Sequence, residues 1–186
     1  MAQKFNGTGV ALVTPFKQNG AVDFGALEKL IRFNIDGGID YLVVLGTTGE
    51  SSTLNANERR DIWKFVAESV EENIHLVAGL GGNSTAEVSS QMRAFNTDHY
   101  DAFLSVSPYY NKPSQEGIYQ HYMQLAEVAP LPIIIYNVPG RTGSNITSET
   151  TLKLAAATKR FIGIKEASGN FSQIMRIIKD RPSENF

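Results

Sequence analysis

Lys165 ends a short apolar run, Phe161-Ile162-Gly163-Ile164, and the small residues Ala167-Ser168-Gly169 then hand the chain to a helix beginning near Asn170. A lysine at the carboxyl end of a buried strand has apolar neighbours on one side, so desolvation disfavours its charged form. The neutral amine can attack a carbonyl and form a Schiff base. Tyr136 closes a second such run, Ile133-Ile134-Ile135, and Arg141 follows within Asn137-Val138-Pro139-Gly140-Arg141-Thr142-Gly143. A phenol there can pass a proton, and a guanidinium can hold a carboxylate by two parallel hydrogen bonds. Gly46-Thr47-Thr48-Gly49-Glu50 follows a third run; its glycines admit a close ligand, and Thr47 and Thr48 offer hydroxyls and amides suited to a carboxylate. In Ser107-Pro108-Tyr109-Tyr110-Asn111-Lys112-Pro113 the prolines break any ladder, so the two tyrosines cannot both be strand core and one at least points into a site or an interface. Each group alone also has a plain structural reading. Together they describe a Schiff-base lysine, a tyrosine acid/base, a hydroxyl relay and an arginine clamp gathered at the carboxyl ends of strands.

Other chemistries find less support. Neither Gly46–Glu50 nor Gly79-Leu80-Gly81-Gly82 has the spacing of a dinucleotide or Walker phosphate loop. His75, His99 and His121 fall in no ligand spacing, and Glu50, Glu166 and Asp101 make no paired-carboxylate pattern; these residues are given solvated or structural roles, and no metal or cofactor is expected. The absence of cysteine removes disulfides and thiolate chemistry. A net charge of -2, with both signs scattered, gives no footprint for nucleic acid or an anionic membrane. No apolar run approaches about 20 residues and the start lacks a leader's apolar core, so a cytoplasmic protein is expected.

The elements that must position these groups recur at about 30-residue intervals, each an apolar run followed by an amphipathic helix. Strands are expected at Gly9–Thr14, Tyr41–Leu45, Ile74–Ala78, Ala102–Val106, Ile133–Tyr136 and from Phe161 to Lys165. Helix starts are marked by Asp23, by Asn55 with Glu58, by Ser84 with Glu87, and by Thr147 and Asn170. This is the texture of a parallel α/β array in one domain, residues 1–186. A doubly wound open sheet and an eightfold barrel both fit it. Six units are visible where a barrel usually needs about 250 residues. Arg181-Pro182-Ser183-Glu184-Asn185-Phe186 reads as the turn into another strand, so the chain is expected to stop before a seventh unit.

GTTGE at 46–50, SPYYNKPSQEG at 107–117, YNVPGRTG at 136–143 and GIKEASGN at 163–170 resemble the dihydrodipicolinate synthase / N-acetylneuraminate lyase family of class I aldolases. The resemblance runs from about Gly7 to the last residue. It implies a parallel (β/α)8 TIM barrel, of which about the first six βα units are present. It further implies a lyase in which Lys165 forms a Schiff base with pyruvate and the enamine adds to L-aspartate 4-semialdehyde, on the path to lysine through diaminopimelate. By matching position, Tyr136 is then the acid/base, Thr47 passes the proton on, Tyr110 completes the relay from a neighbouring subunit, Thr48 binds the pyruvate carboxylate, and Arg141 clamps the second substrate. Ser51, Asn83, Glu87 and Tyr109 match an allosteric lysine site, although Ala56 and Arg59 stand where some members carry histidines. The family also implies a homotetramer, a dimer of dimers. Alternatives are a sibling aldolase acting on another 2-keto acid and a non-catalytic scaffold that binds a small effector.

Overall fold

The computed structural model describes residues 5–71, 73–184 and 186. Met1 to Lys4, at the start of the stretch read as lacking a leader, and Asn185, in the expected turn toward a further strand, lie outside the described residues. Strands and helices alternate as β1 (Gly9–Ala11), α1 (Phe24–Asp36), β2 (Tyr41–Val44), α2 (Ala56–Ser69), β3 (His75–Gly79), α3 (Thr85–Arg93), β4 (Ala102–Val106), α4 (Gln115–Val128), β5 (Ile133–Asn137), a single turn α5 (Pro139–Thr142), α6 (Ser148–Ala157), β6 (Phe161–Glu166) and α7 (Phe171–Asp180). The chain divides into two compact units.

The first unit runs to Gly79 and includes Thr97–Ala102. Its strands are parallel neighbours in the order β1-β2-β3, with Gly9 beside Tyr41 and Tyr41 beside His75. Helix α1 buries Leu27 and Ile31, and α2 buries Ile62 and Val66; Leu42, Val44, Leu76 and Val77 of the strands are likewise buried. Each such aliphatic side chain contributes about 1.5–3 kcal/mol on leaving water. The helix starts follow the sequence signals. Asp23 accepts from the Ala26 amide, and Asn55 and Glu58 form a reciprocal capping box.

Strand β1 is shorter than expected. Its ladder covers Gly9–Ala11 rather than Gly9–Thr14, and Gly9 is exposed rather than buried on both faces. Leu12 still donates its amide to the Val43 carbonyl, but Thr14 turns its hydroxyl to the Gly49 carbonyl and Pro15 has no N–H with which to extend the pairing.

The second unit comprises Leu80–Asn96 and Phe103 onward. Here the strands are parallel in the order β4-β5-β6, and Val106, Tyr136 and Lys165 fall in one row across them. Helix α3 packs on α4, α4 on α6, and α6 on α7. Tyr122 is fully buried yet satisfied, since its hydroxyl donates to the Ser105 carbonyl at 2.8 Å. Ser84, Ser114, Thr147 and Asn170 cap their helices with side-chain oxygens. At α3 the Ser84 hydroxyl accepts from the Glu87 amide, while the Glu87 carboxylate accepts from Gln91 one turn on.

Helix α7 carries apolar residues on two faces. Ile177 is buried, whereas Phe171, Met175 and Ile178 form an outward stripe at 77%, 67% and 56% exposure. Among the described residues, no helix is long and apolar enough to cross a membrane.

Candidate active site

Three loops of the second unit meet at the carboxyl ends of β4, β5 and β6. Lys165 and Tyr136 are register partners, so they share one face of the sheet. The Lys165 Nζ stands 4.9 Å from the centre of the Tyr136 ring. Tyr136 is buried; Lys165 is an exposed residue whose amine is partly desolvated by its surroundings. That burial pushes the amine below the ordinary lysine range. An amine that gives up its proton more readily, beside a buried phenol, can serve as nucleophile and proton partner, the constellation expected of an imine-forming site.

The register that brings them together depends on an irregularity. Ile133 pairs with Phe161, but Ile134 pairs with Gly163, so Ile162 is an extra residue in β6. In a regular ladder, with Ile162 paired, Tyr136 would oppose Ile164 and Lys165 would lie beside Asn137.

The β5 exit bends at once into the single turn α5, on which Arg141 is exposed. Gly143 ends that turn at φ 73°, and the Lys112 Cε lies 3.0 Å from where a side chain on Gly143 would begin. The tyrosine loop therefore packs against the arginine turn. The Ser107 amide also donates to the Tyr136 carbonyl at 3.3 Å. Both adjacent tyrosines are outside the core, Tyr109 at 37% exposure and Tyr110 at 86%. Tyr110 has φ 71°, left-handed backbone that costs a bulky residue free energy and swings its ring outward.

Thr47 and Thr48 belong to the first unit. They form a 3-10 turn, Thr47–Gly49, entered through Gly46 and closed by Glu50 in the left-handed region, and both threonines are exposed. Buried Leu45, just before the turn, has φ 59°. The kink directs its carbonyl at the end of β3, where any side chain on Gly79 would overlap it. Thr14 steadies the turn from below through its 2.6 Å bond to Gly49.

The four residues expected at a regulatory site are distributed as follows. Ser51 is in the first unit, where its carbonyl and that of Leu54 accept from the Arg59 guanidinium. Asn83, Glu87 and Tyr109 are in the second unit, Asn83 half-buried and the others exposed. Among the described residues, no three His, Asp or Glu side chains gather as a metal site.

Sequence reasoning missed a polar cluster behind the lysine. Asn137 is fully buried and donates to both oxygens of Glu166, at 3.1 and 2.9 Å. Glu166 also accepts from the Ser168 amide and from Gln173. These bonds tie Glu166 into the packing around β5 and α7. The partner could not be foreseen, because it follows from the bulged register.

The sequence model of the Dihydrodipicolinate synthetase family matches residues 4–185. The 4-hydroxy-tetrahydrodipicolinate synthase of Flavobacterium psychrophilum is 50% identical over 182 residues, which is 98% of this chain and 62% of the relative. A crystal structure of dihydrodipicolinate synthase from Aquifex aeolicus superposes with a TM-score of 0.91 at 41% identity, covering 98% of this chain and 61% of that one. The chloride-inhibited dihydrodipicolinate synthase from Acinetobacter baumannii, complexed with pyruvate, gives 0.89 at 43% identity, covering 93% and 59%. The chain thus spans about three fifths of the length of the curated relatives it matches. The fold is that of the parallel α/β barrel family, with six βα units present. A match over residues 4–185, a span that includes the segments holding the lysine, the phenol and the threonine turn, makes this chain a member of the dihydrodipicolinate synthetase family.

Proposed function

We propose that the protein condenses pyruvate with L-aspartate 4-semialdehyde to 4-hydroxy-tetrahydrodipicolinate, a step of lysine biosynthesis. The observation that carries this reading is the Lys165 amine held 4.9 Å from the centre of the Tyr136 ring, where partial burial favours its uncharged form. Family membership and the pyruvate complex of a similar protein support the choice of keto acid.

The neutral Lys165 amine attacks the pyruvate ketone, and the carbinolamine loses water to give an imine. Loss of a methyl proton yields the enamine, whose carbon attacks the aldehyde of the semialdehyde while the aldehyde oxygen takes up a proton. The amine of the second substrate then attacks the imine carbon, closing the ring and releasing Lys165. Tyr136 is assigned the proton transfers, Thr47 and the Tyr110 of a neighbouring subunit the relay beyond it, and Thr48 the pyruvate carboxylate. Arg141 is assigned the carboxylate of the second substrate, an exposed cation at the rim being suited to capture it. Ser51, Asn83, Glu87 and Tyr109 are proposed as a lysine-binding regulatory site. A cytoplasmic homotetramer is the assembly that goes with this reading.

The experiment is incubation with pyruvate and borohydride followed by mass spectrometry. The reduced adduct belongs on Lys165 and should vanish in Lys165→Ala. An unmodified chain would leave a scaffold without chemistry. Turnover with aspartate semialdehyde before and after Arg141→Ala separates the synthase from an aldolase acting on an uncharged aldehyde, since only the former needs the clamp.

A further inference from the structure

The bulge at Ile162 creates a choice of register, and something must hold the productive one. In the observed pairing Tyr136 lies beside Lys165, and the next residues, Asn137 and Glu166, lie beside each other on the opposite face. A regular ladder would instead set Asn137 beside Lys165 and leave Tyr136 facing Ile164. The first pairs of the two strands are apolar, Ile133 with Phe161 and Ile135 with Ile164, but Ile162, Gly163 and Ile164 are all only half-buried, so burial of one face of β6 separates the two registers weakly. The polar pair does discriminate.

Asn137 donates to both carboxylate oxygens of Glu166, its own Oδ1 accepts from the Ile146 amide at 2.9 Å, and its carbonyl accepts from the Ala167 amide at 2.9 Å. Glu166 is satisfied from three directions: by Asn137 of β5, by Gln173 of α7 at 2.8 Å and by the Ser168 amide at 2.7 Å. All of these partners are N–H donors, which suits the carboxylate that stands at this position. In the regular register the carboxylate would lose its β5 donor, and Asn137 would face an amine. A half-satisfied polar cluster is costly in a buried setting.

We infer that the Asn137–Glu166 hydrogen bonds are a register lock, which keeps β6 in its bulged pairing and so holds Lys165 against Tyr136. These are positioning residues that act through the lysine. The consequence for rate rests on the proposed imine chemistry; the lock itself does not.

Asn137→Asp sets carboxylate against carboxylate, and the double variant Asn137→Asp with Glu166→Gln restores a donor–acceptor pair with its polarity reversed. The rate of borohydride-trapped pyruvate adduct at saturating pyruvate should fall roughly tenfold to a hundredfold in the single variant, with half-saturation unchanged, and regain at least about tenfold in the double. A second readout needs no pyruvate. The chain has no cysteine, so Ile135→Cys with Ile164→Cys reports whether those register partners still meet. Disulfide yield should drop with Asn137→Asp and recover in the double variant. If Asn137→Asp fails to fold by circular dichroism, Asn137→Ala removes the donor without adding charge and takes its place in both measurements. An unchanged disulfide yield in the single variant overturns the lock. A parent protein that traps no pyruvate overturns the proposed reaction, while the disulfide result still decides the lock.

Discussion

Lys165 lies over the Tyr136 ring, its Nζ 4.9 Å from the centroid, because one extra residue in β6 moves it out of line with Asn137. Replacing Tyr136 by Phe keeps the ring and removes the hydroxyl proposed to carry the proton. Pyruvate trapping on Lys165 is expected to slow by about a hundredfold or more, the usual scale of a general acid/base, without loss of folded structure. Single-turnover trapping with a circular dichroism control measures it, and an unchanged rate would take the phenol out of the reaction.

Burial lowers the Lys165 amine below the ordinary lysine value of about 10.4. Only the deprotonated amine is a nucleophile, so adduct formation should rise with pH and reach its midpoint below that of a solvated lysine. A trapping-rate profile gives the midpoint; one at the ordinary value would mean that the amine is not desolvated in solution.

His121 is buried between α3 and α4, its Nδ1 2.8 Å from the Thr85 hydroxyl, and desolvation lowers it to about 4. Above an unfolded value of about 6.5 neither state binds the proton, and this residue adds no pH dependence. Between about 6.5 and 4 the unfolded chain takes up a proton that the folded chain refuses, so stability falls as pH falls through that window. The loss is of order 3 kcal/mol if the full difference is expressed. Urea unfolding at pH 7 and pH 4.5 should show it in the parent and show less of it in His121→Gln.

Gly79→Ala would overlap the Leu45 carbonyl, and the strained Leu45 peptide is what launches the Thr47–Thr48 turn. A cost of about 1–3 kcal/mol is expected, together with weaker pyruvate saturation than in the parent. Melting temperature and the concentration dependence of trapping test the two parts separately.

Asn55→Ala removes one half of the capping box on α2, where Asn55 accepts from the amides of Asn57 and Glu58. About 1 kcal/mol of stability should be lost, with trapping at saturating pyruvate unaffected. Urea titration measures the loss.

The regular parts of this architecture were legible because each has a local cause. The apolar runs and the caps at Asp23, Asn55, Ser84, Thr147 and Asn170 named the strands and the helix starts, since a side-chain cap acts within three residues of its own position. The nearness of Lys165 and Tyr136 was anticipated only as far as both end a parallel strand. Their shared face turns on Ile162, which looks like any other apolar strand residue. Asn137 was hidden for the same reason, and Thr14 because its hydroxyl finds a carbonyl 35 residues away. The left-handed backbone of Leu45 and Tyr110 had no herald either, because neither is the glycine or asparagine that such a conformation favours.

The stripe of Phe171, Met175 and Ile178 on α7 presents apolar surface to water. Ammonium sulfate and other excluded salts strengthen the tendency of such side chains to leave water. The molecule should therefore precipitate early in a salting-out series and elute late from a phenyl column. Met175→Lys should move the precipitation point to higher salt, and an unchanged point would clear the stripe of that part.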